Sequence, residues 1–195
     1  MTRIDLTIPA GGNPMETSLT QIASGYSHEV VQPVLALGPT GLAFDAKRDI
    51  LYVASTLDNE IFAIHDAKDR TSDAGMGSLV YQDNAHLRGP LGLALAPNGD
   101  LITSNGDAVN PDPTQTSELV EFTPKGQFVG EFSIDPAAGG AFGLAVTNAG
   151  GLLRLAAVDD NTNSLQVWTF QTSHNSSEGD DSQGDNSQGD NSQRG

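Results

Sequence analysis

Short apolar runs, rich in β-branched and aromatic residues and bounded by Gly, Pro, Asn or Asp, recur along the chain as far as residue 170. Runs of this length with these boundaries predict β-strands. They fall at Gly41–Phe44, Ile50–Ala54, Glu60–Ile64 and Ser78–Tyr81. They return at Leu91–Leu95, Leu101–Ser104, Glu118–Phe122 and Gln127–Phe132, and again at Phe142–Val146, Leu152–Ala157 and Ser164–Phe170. Arg3–Ile8 and Ser18–Ala23 precede them all. No segment carries the periodicity and caps of a long helix.

The strands repeat as a group. Gly41-Leu42-Ala43-Phe44, Gly92-Leu93-Ala94-Leu95 and Gly143-Leu144-Ala145-Val146 begin 51 residues apart. A fixed period of this size signals a stacked or radial repeat. Pro97-Asn98-Gly99-Asp100 contains Asn-Gly, the strongest short hairpin signal, which predicts a turn with two positive-φ positions. Asn148-Ala149-Gly150-Gly151 lies one period later, and the longer Asp45–Asp49 one period earlier.

Four antiparallel strands per repeat describe a β-propeller blade. The fold class predicted is all-β: a partial β-propeller of about three four-stranded antiparallel blades plus an N-terminal half blade. The arc is expected over residues 1–171, with a half blade at 1–36, blades at 37–87 and 88–138, and an incomplete blade at 139–171. The first strand of each blade lies nearest the axis, which accounts for Gly and Ala there. Leu42, Phe44, Leu93, Leu95, Leu144 and Val146 are expected to pack between blades, and Trp168 and Phe170 in the core. An open arc leaves apolar faces and unpaired edges. Two completions are open: a longer chain of which this is the C-terminal part, or a second copy closing a ring of three plus three blades. The extra strand at Arg3–Ile8 weighs against perfect closure.

After Phe170 the composition changes to a Gly-Asp-Asp/Asn-Ser-Gln pentapeptide repeat with no apolar residue. Such a segment cannot offset its ordering entropy, so residues 172–195 read as a disordered acidic tail. The formal net charge is −16, with 25 acids against 9 Lys and Arg. An acidic body argues against nucleic acid and anionic membrane surfaces. It admits cations and basic partners, and it also serves solubility. Zero Cys removes disulfides and thiolate metal sites. No secretory leader or membrane span is visible, and the compartment stays open.

Gly38-Pro39-Thr40-Gly41-Leu42-Ala43-Phe44-Asp45, followed by Ile50-Leu51-Tyr52-Val53-Ala54 and Asn59-Glu60-Ile61-Phe62, resembles an NHL repeat. Gly89–Asp100 repeats the pattern, and the third copy matches more loosely. The wider group is the six-bladed propellers that include SMP-30/gluconolactonase-like and TolB-like folds. Ser55 stands where the NHL pattern usually has Asp. The resemblance implies fold, not activity, because propellers host enzymes and binding modules alike. Lactonases of this group resemble a site with one divalent metal on oxygen ligands, one of them just before the first-strand Gly. Thr40, Leu91 and Phe142 occupy those positions here, none of them a strong ligand.

The loops offer other candidates. Asp58-Asn59 and Asp160-Asn161 are 102 residues apart, twice the period. Asp58, Asp160 and Asn161 would suit Ca²⁺ or another hard divalent cation. They are equally turn formers whose side chains bond nearby backbone, and the repetition favours that role. His86 and Arg88, in the loop entering an inner strand, are candidates for contacting an anionic ligand. Asn105, Asp107 and Asn110 lie in the enlarged loop of the middle repeat, and Asn105 and Asp107 are further candidates for ligand binding. No nucleophile elbow, phosphate loop or dinucleotide fingerprint is present. The sequence favours a non-catalytic ligand-binding or protein-interaction module, with a lactonase- or hydrolase-like enzyme using a rim-bound divalent cation as the alternative.

Overall fold

The computed structural model describes residues 1–30, 37–106 and 114–171. Asp107, Asn110, His174 and the acidic tail lie outside the described residues. The described residues form thirteen strands and no helix, and none of them forms a helix long and apolar enough to cross a membrane.

A hairpin comes first, β1 (Thr2–Thr7) against β2 (Met15–Gln21). The first four-stranded sheet follows: β3 (Pro39–Asp45), β4 (Ile50–Ser55), β5 (Glu60–His65) and β6 (Ser78–Gln82). The second holds β7 (Pro90–Leu95), β8 (Leu101–Asn105), β9 (Ser117–Phe122) and β10 (Phe128–Asp135). A three-stranded sheet closes the series, β11 (Ala141–Ala149), β12 (Leu152–Asp159) and β13 (Ser164–Gln171). Every sheet is an antiparallel meander with strands in sequence order. Three consecutive blades with their first strands side by side make a partial β-propeller.

Turn chemistry sets the register. Gly150 and Gly151 both take positive φ, at 61° and 75°, as a two-residue hairpin turn requires. The Asn98-Gly99 turn differs from expectation, because only Gly99 has positive φ, at 93°. Here Ala96 N–H bonds to Asp100 O at 2.8 Å and Gly99 N–H to Ala96 O at 2.9 Å, and the Asn98 amide clasps Asp100. At the earlier position Asp45 Oδ1 accepts the Lys47 and Arg48 N–H groups, while Oδ2 takes Arg48 Nη1 at 2.7 Å.

The blades meet through their inner strands. A Cβ on Gly41 would lie 2.5 Å from Leu91 O, and one on Gly92 would lie 2.5 Å from Phe142 O. Backbone therefore rests on backbone at both seams. Behind the Gly contacts, Ala43, Tyr52, Ala54, Ile61, Ala63 and Tyr81 pack on Leu87, Leu93, Leu101, Val120 and Phe122. Tyr81 stacks on Phe122 with ring centroids 4.6 Å apart. The second seam joins Ile102, Leu119 and Ile134 to Ala141, Leu155 and Ala157, with Trp168 edge-on to Phe132.

Leu42 and Phe44 do not pack between blades as predicted. They are 52% and 43% exposed. The outer half of their face is taken by the N-terminal segment, where Ala23 and Tyr26 cover Val53, Phe62 and Ile64. The inner half has no neighbouring blade. Phe170 is likewise exposed rather than in the core, whereas Trp168 packs as predicted.

The close approach predicts a position-specific cost. Gly92→Ala must push a carbonyl aside and should lose about 1–3 kcal/mol of stability. Gly130→Ala, which meets nothing within 4 Å, should stay within about 0.5 kcal/mol. Urea denaturation of both variants against the parent checks this.

Candidate functional site

The loops at one end of the arc form a polar rim. The β4–β5 loop touches the β6–β7 loop, and the start of the β8–β9 connection bridges to Gly140. Asn59, with φ of 56°, joins the first pair. Its Nδ2 donates to Asn84 Oδ1 at 2.8 Å and Leu87 O at 2.9 Å, and its Oδ1 accepts Gly89 N–H at 2.9 Å. The chain thus uses Asn59 to aim the loop that carries His86 and Arg88.

These two residues converge on a carboxyl pair. Glu118 sits at the start of β9, and Glu131 on β10 lies opposite Val120. That register places the two Glu diagonally on one sheet face, within reach of each other. Arg88 Nη1 bonds to Glu118 Oε2 at 2.5 Å and stands 3.6 Å from Glu131 Oε1, while Nη2 donates to Ala85 O at 2.9 Å. His86 Nδ1 is 2.8 Å from Glu131 Oε2, and its ring stacks on Phe128 at 3.9 Å. Nε2 of the same ring is 3.8 Å from Asp83 Oδ2, which also accepts the Tyr81 hydroxyl at 2.8 Å. Asn105, buried at the end of β8, accepts Arg88 N–H at 2.9 Å and donates to His86 O at 2.8 Å.

Burial raises the Glu118 carboxyl above its usual range, and the adjoining Glu131 raises it further. Arg88 and Asn105 pull the other way without overcoming this. Glu131 Oε1 is buried with no hydrogen-bond partner. Two adjoining carboxylates repel each other, and that repulsion adds to burial in disfavouring ionisation of Glu118. The pair is an acid–base couple in principle. In this setting it is a lock between the first and second blades, because three carboxyls surround Arg88 and His86.

The structure brings His86, Arg88 and Asn105 together. It pairs Arg88 with Glu118 and sets His86 against Glu131, rather than leaving these side chains for an anionic ligand. Asp58 lies elsewhere, and its carboxylate accepts the hydroxyls of Ser27 and Ser55, both at 2.5 Å, and Ser27 N–H at 3.1 Å. Burial works against ionisation there, but these donors hold the Asp58 carboxyl below its usual value. Asn161 donates from Nδ2 to Ala138 O at 3.1 Å and Asp135 Oδ1 at 3.2 Å, tying the third blade to the second. Asp160 is exposed beside it, with its backbone N–H on Gly140 O at 2.7 Å. Asp58 thus anchors the N-terminal segment, while Asp160 and Asn161 belong to another blade. Among the described residues, no three His, Cys, Asp or Glu side chains gather in a group that could hold a metal ion.

Glu118 and Glu131 carry no sequence signal of their own. They lie thirteen positions apart, and only the β9–β10 register makes them neighbours.

No family model matches the chain, and no curated protein matches it. Solved structures do. A luciferin-regenerating enzyme superposes with a TM-score of 0.46 at 11% identity, covering 67% of this chain and 44% of its own. A gluconolactonase from Xanthomonas campestris superposes with a TM-score of 0.43 at 21% identity, covering 69% of this chain and 38% of its own. The chain thus spans less than half the length of either, and the likeness concerns fold alone.

The raised Glu118 carboxyl has a consequence of definite sign for stability. A raised folded-state carboxyl gives stability that is complete below its unfolded value and is lost as pH rises through the folded value. Glu118→Gln keeps the shape and abolishes the titration. Melting temperatures from pH 4 to 7 should fall for the parent relative to Glu118→Gln as pH rises. A constant difference between the two would contradict a raised Glu118 carboxyl.

Proposed function

We propose that this chain is a non-catalytic interaction module of the β-propeller class, working through its open blade faces with a protein partner. One observation carries the reading. At the rim, the predicted ligand side chains Asp58, His86, Arg88, Asn105 and Asn161 are engaged inside the fold. At the two ends of the arc, large apolar side chains stand in water instead. Leu42 and Phe44 do so at one end, and Leu165 and Val167, 63% and 54% exposed, do so at the other. Contiguous exposed apolar sheet surface marks an interaction site or an aggregation hazard.

A second reading is favoured by one feature, the adjoining Glu118–Glu131 carboxyls with Glu118 raised above its usual range. It makes the protein a lactonase- or hydrolase-like enzyme, with Ca²⁺ or another divalent cation on rim oxygens and a small ester or lactone as substrate. Glu118 is buried behind Arg88 and Asn105, which supports the structural role over this one.

The two readings separate in one experiment. Calorimetric titration with Ca²⁺ should give no saturable heat, and a panel of lactones and esters should show no turnover with or without the ion. Ca²⁺-dependent hydrolysis that disappears in Glu118→Gln would establish the enzyme instead.

A further inference from the structure

The two seams inside the arc follow one rule, and its ends expose the two halves of a third. In each seam the Gly-Ala side of one inner strand receives the Leu side of the next. Gly41 abuts the Leu91–Leu93 backbone while Ala43 and Leu93 share a core, and Gly92 abuts Phe142 and Leu144. On β11 the Gly-Ala side is open. A Cβ on Gly143 would meet only Val158 Cγ2, at 3.7 Å. That face continues through exposed Val158, Leu165 and Val167. On β3 it is the Leu side that is open, at Leu42 and Phe44.

We propose that a second copy of this chain covers these faces head to tail. The β11 strand of one copy sits on the β3 strand of the other, so that Gly143 takes the backbone around Gly41 and Ala145 takes Leu42. This rests on the interaction-module reading above and names its partner. The complementarity is not generic. The period carries Gly41 onto Gly92 and Gly143, so the open strands have the sequence and side of strands already paired in the fold. Such a contact is heterologous. It closes into a ring or continues as a fibre, and three inner strands per copy allow two copies to close a six-bladed ring. Ala23 and Tyr26 already cover Val53, Phe62 and Ile64 on β4 and β5, so the copies engage through β11 and β3, and the N-terminal segment must move off the first blade for β12 and β13 of the partner to follow. The net charge of −16 makes two copies repel, so raised salt should strengthen an apolar seam.

Gly143 supplies the test. In a lone chain Gly143→Ala touches nothing closer than 3.7 Å and its φ is not positive, so folding should be unaffected. In the paired seam the same methyl group would strike a backbone carbonyl, as Ala at 41 or 92 would. Light scattering of the full chain should give at least twice the 20.3 kDa of one copy, the more so at high salt. Gly143→Ala should return the single-copy mass with unchanged circular dichroism and melting. Leu42→Glu, altering the opposite face, should do the same, and Gly130→Ala should behave as the parent. A parent chain of single-copy mass at every concentration would overturn the proposal, as would a Gly143→Ala variant that keeps the parent's mass. Either result leaves the non-catalytic reading standing with a different partner, because that reading falls only to turnover.

Discussion

The position where a side chain would begin on Gly41 and Gly92 is occupied by the neighbouring blade's carbonyl oxygen. The rest of the arc depends on that approach. With no Cβ at these two positions, the inner strands come close enough for Ala43 to reach Leu93 and for Tyr81, on the fourth strand of its blade, to stack on Phe122. A methyl group there would wedge the blades apart along their whole length. Apolar burial at about 25 cal/mol per Å² supplies the driving force, but the Gly contacts decide whether the faces meet.

The rim loops depend on the same spacing. Asn59 can bridge to Leu87 and Gly89 only when the first two blades are seated. Seating also brings the β6–β7 loop over the second blade, so that Arg88 and His86 find Glu118 and Glu131. The result is a charged clasp above an apolar seam. Buried charges of this kind are costly unless paired, and here Arg88 pairs with Glu118 and lies 3.6 Å from Glu131. The clasp therefore contributes the angle and register of neighbouring blades, and apolar contact contributes most of the stability.

The repeat was legible because it rests on local features: a Gly that needs close approach, small residues beside it, and turns at fixed offsets. Thus β3–β13 fall within a few residues of the runs that predict them. Features requiring pairing between strands were not legible. Glu118 and Glu131 become neighbours through a hairpin register, and neither stands out in the sequence. Leu42 and Phe44 carry the same pattern as Leu93 and Leu95, so sequence alone assigns them the same buried place. What differs is the presence of a blade beside them. The Asn98-Gly99 turn failed for a related reason. Asn98 bonds to Asp100, and that bond selects a longer turn than the dipeptide alone predicts.

The most direct test of the inner-strand account uses the absence of native Cys. Ala145→Cys and Leu42→Cys chains, mixed under mild oxidation, should yield an interchain disulfide, because Ala43 and Leu93 meet in the seam already formed. Either variant oxidised alone should remain uncrosslinked, since like positions lie in different seams. Equal crosslinking in the single-variant samples, or none in the mixture, would contradict the claim that one seam rule governs both the interior of the arc and its open ends.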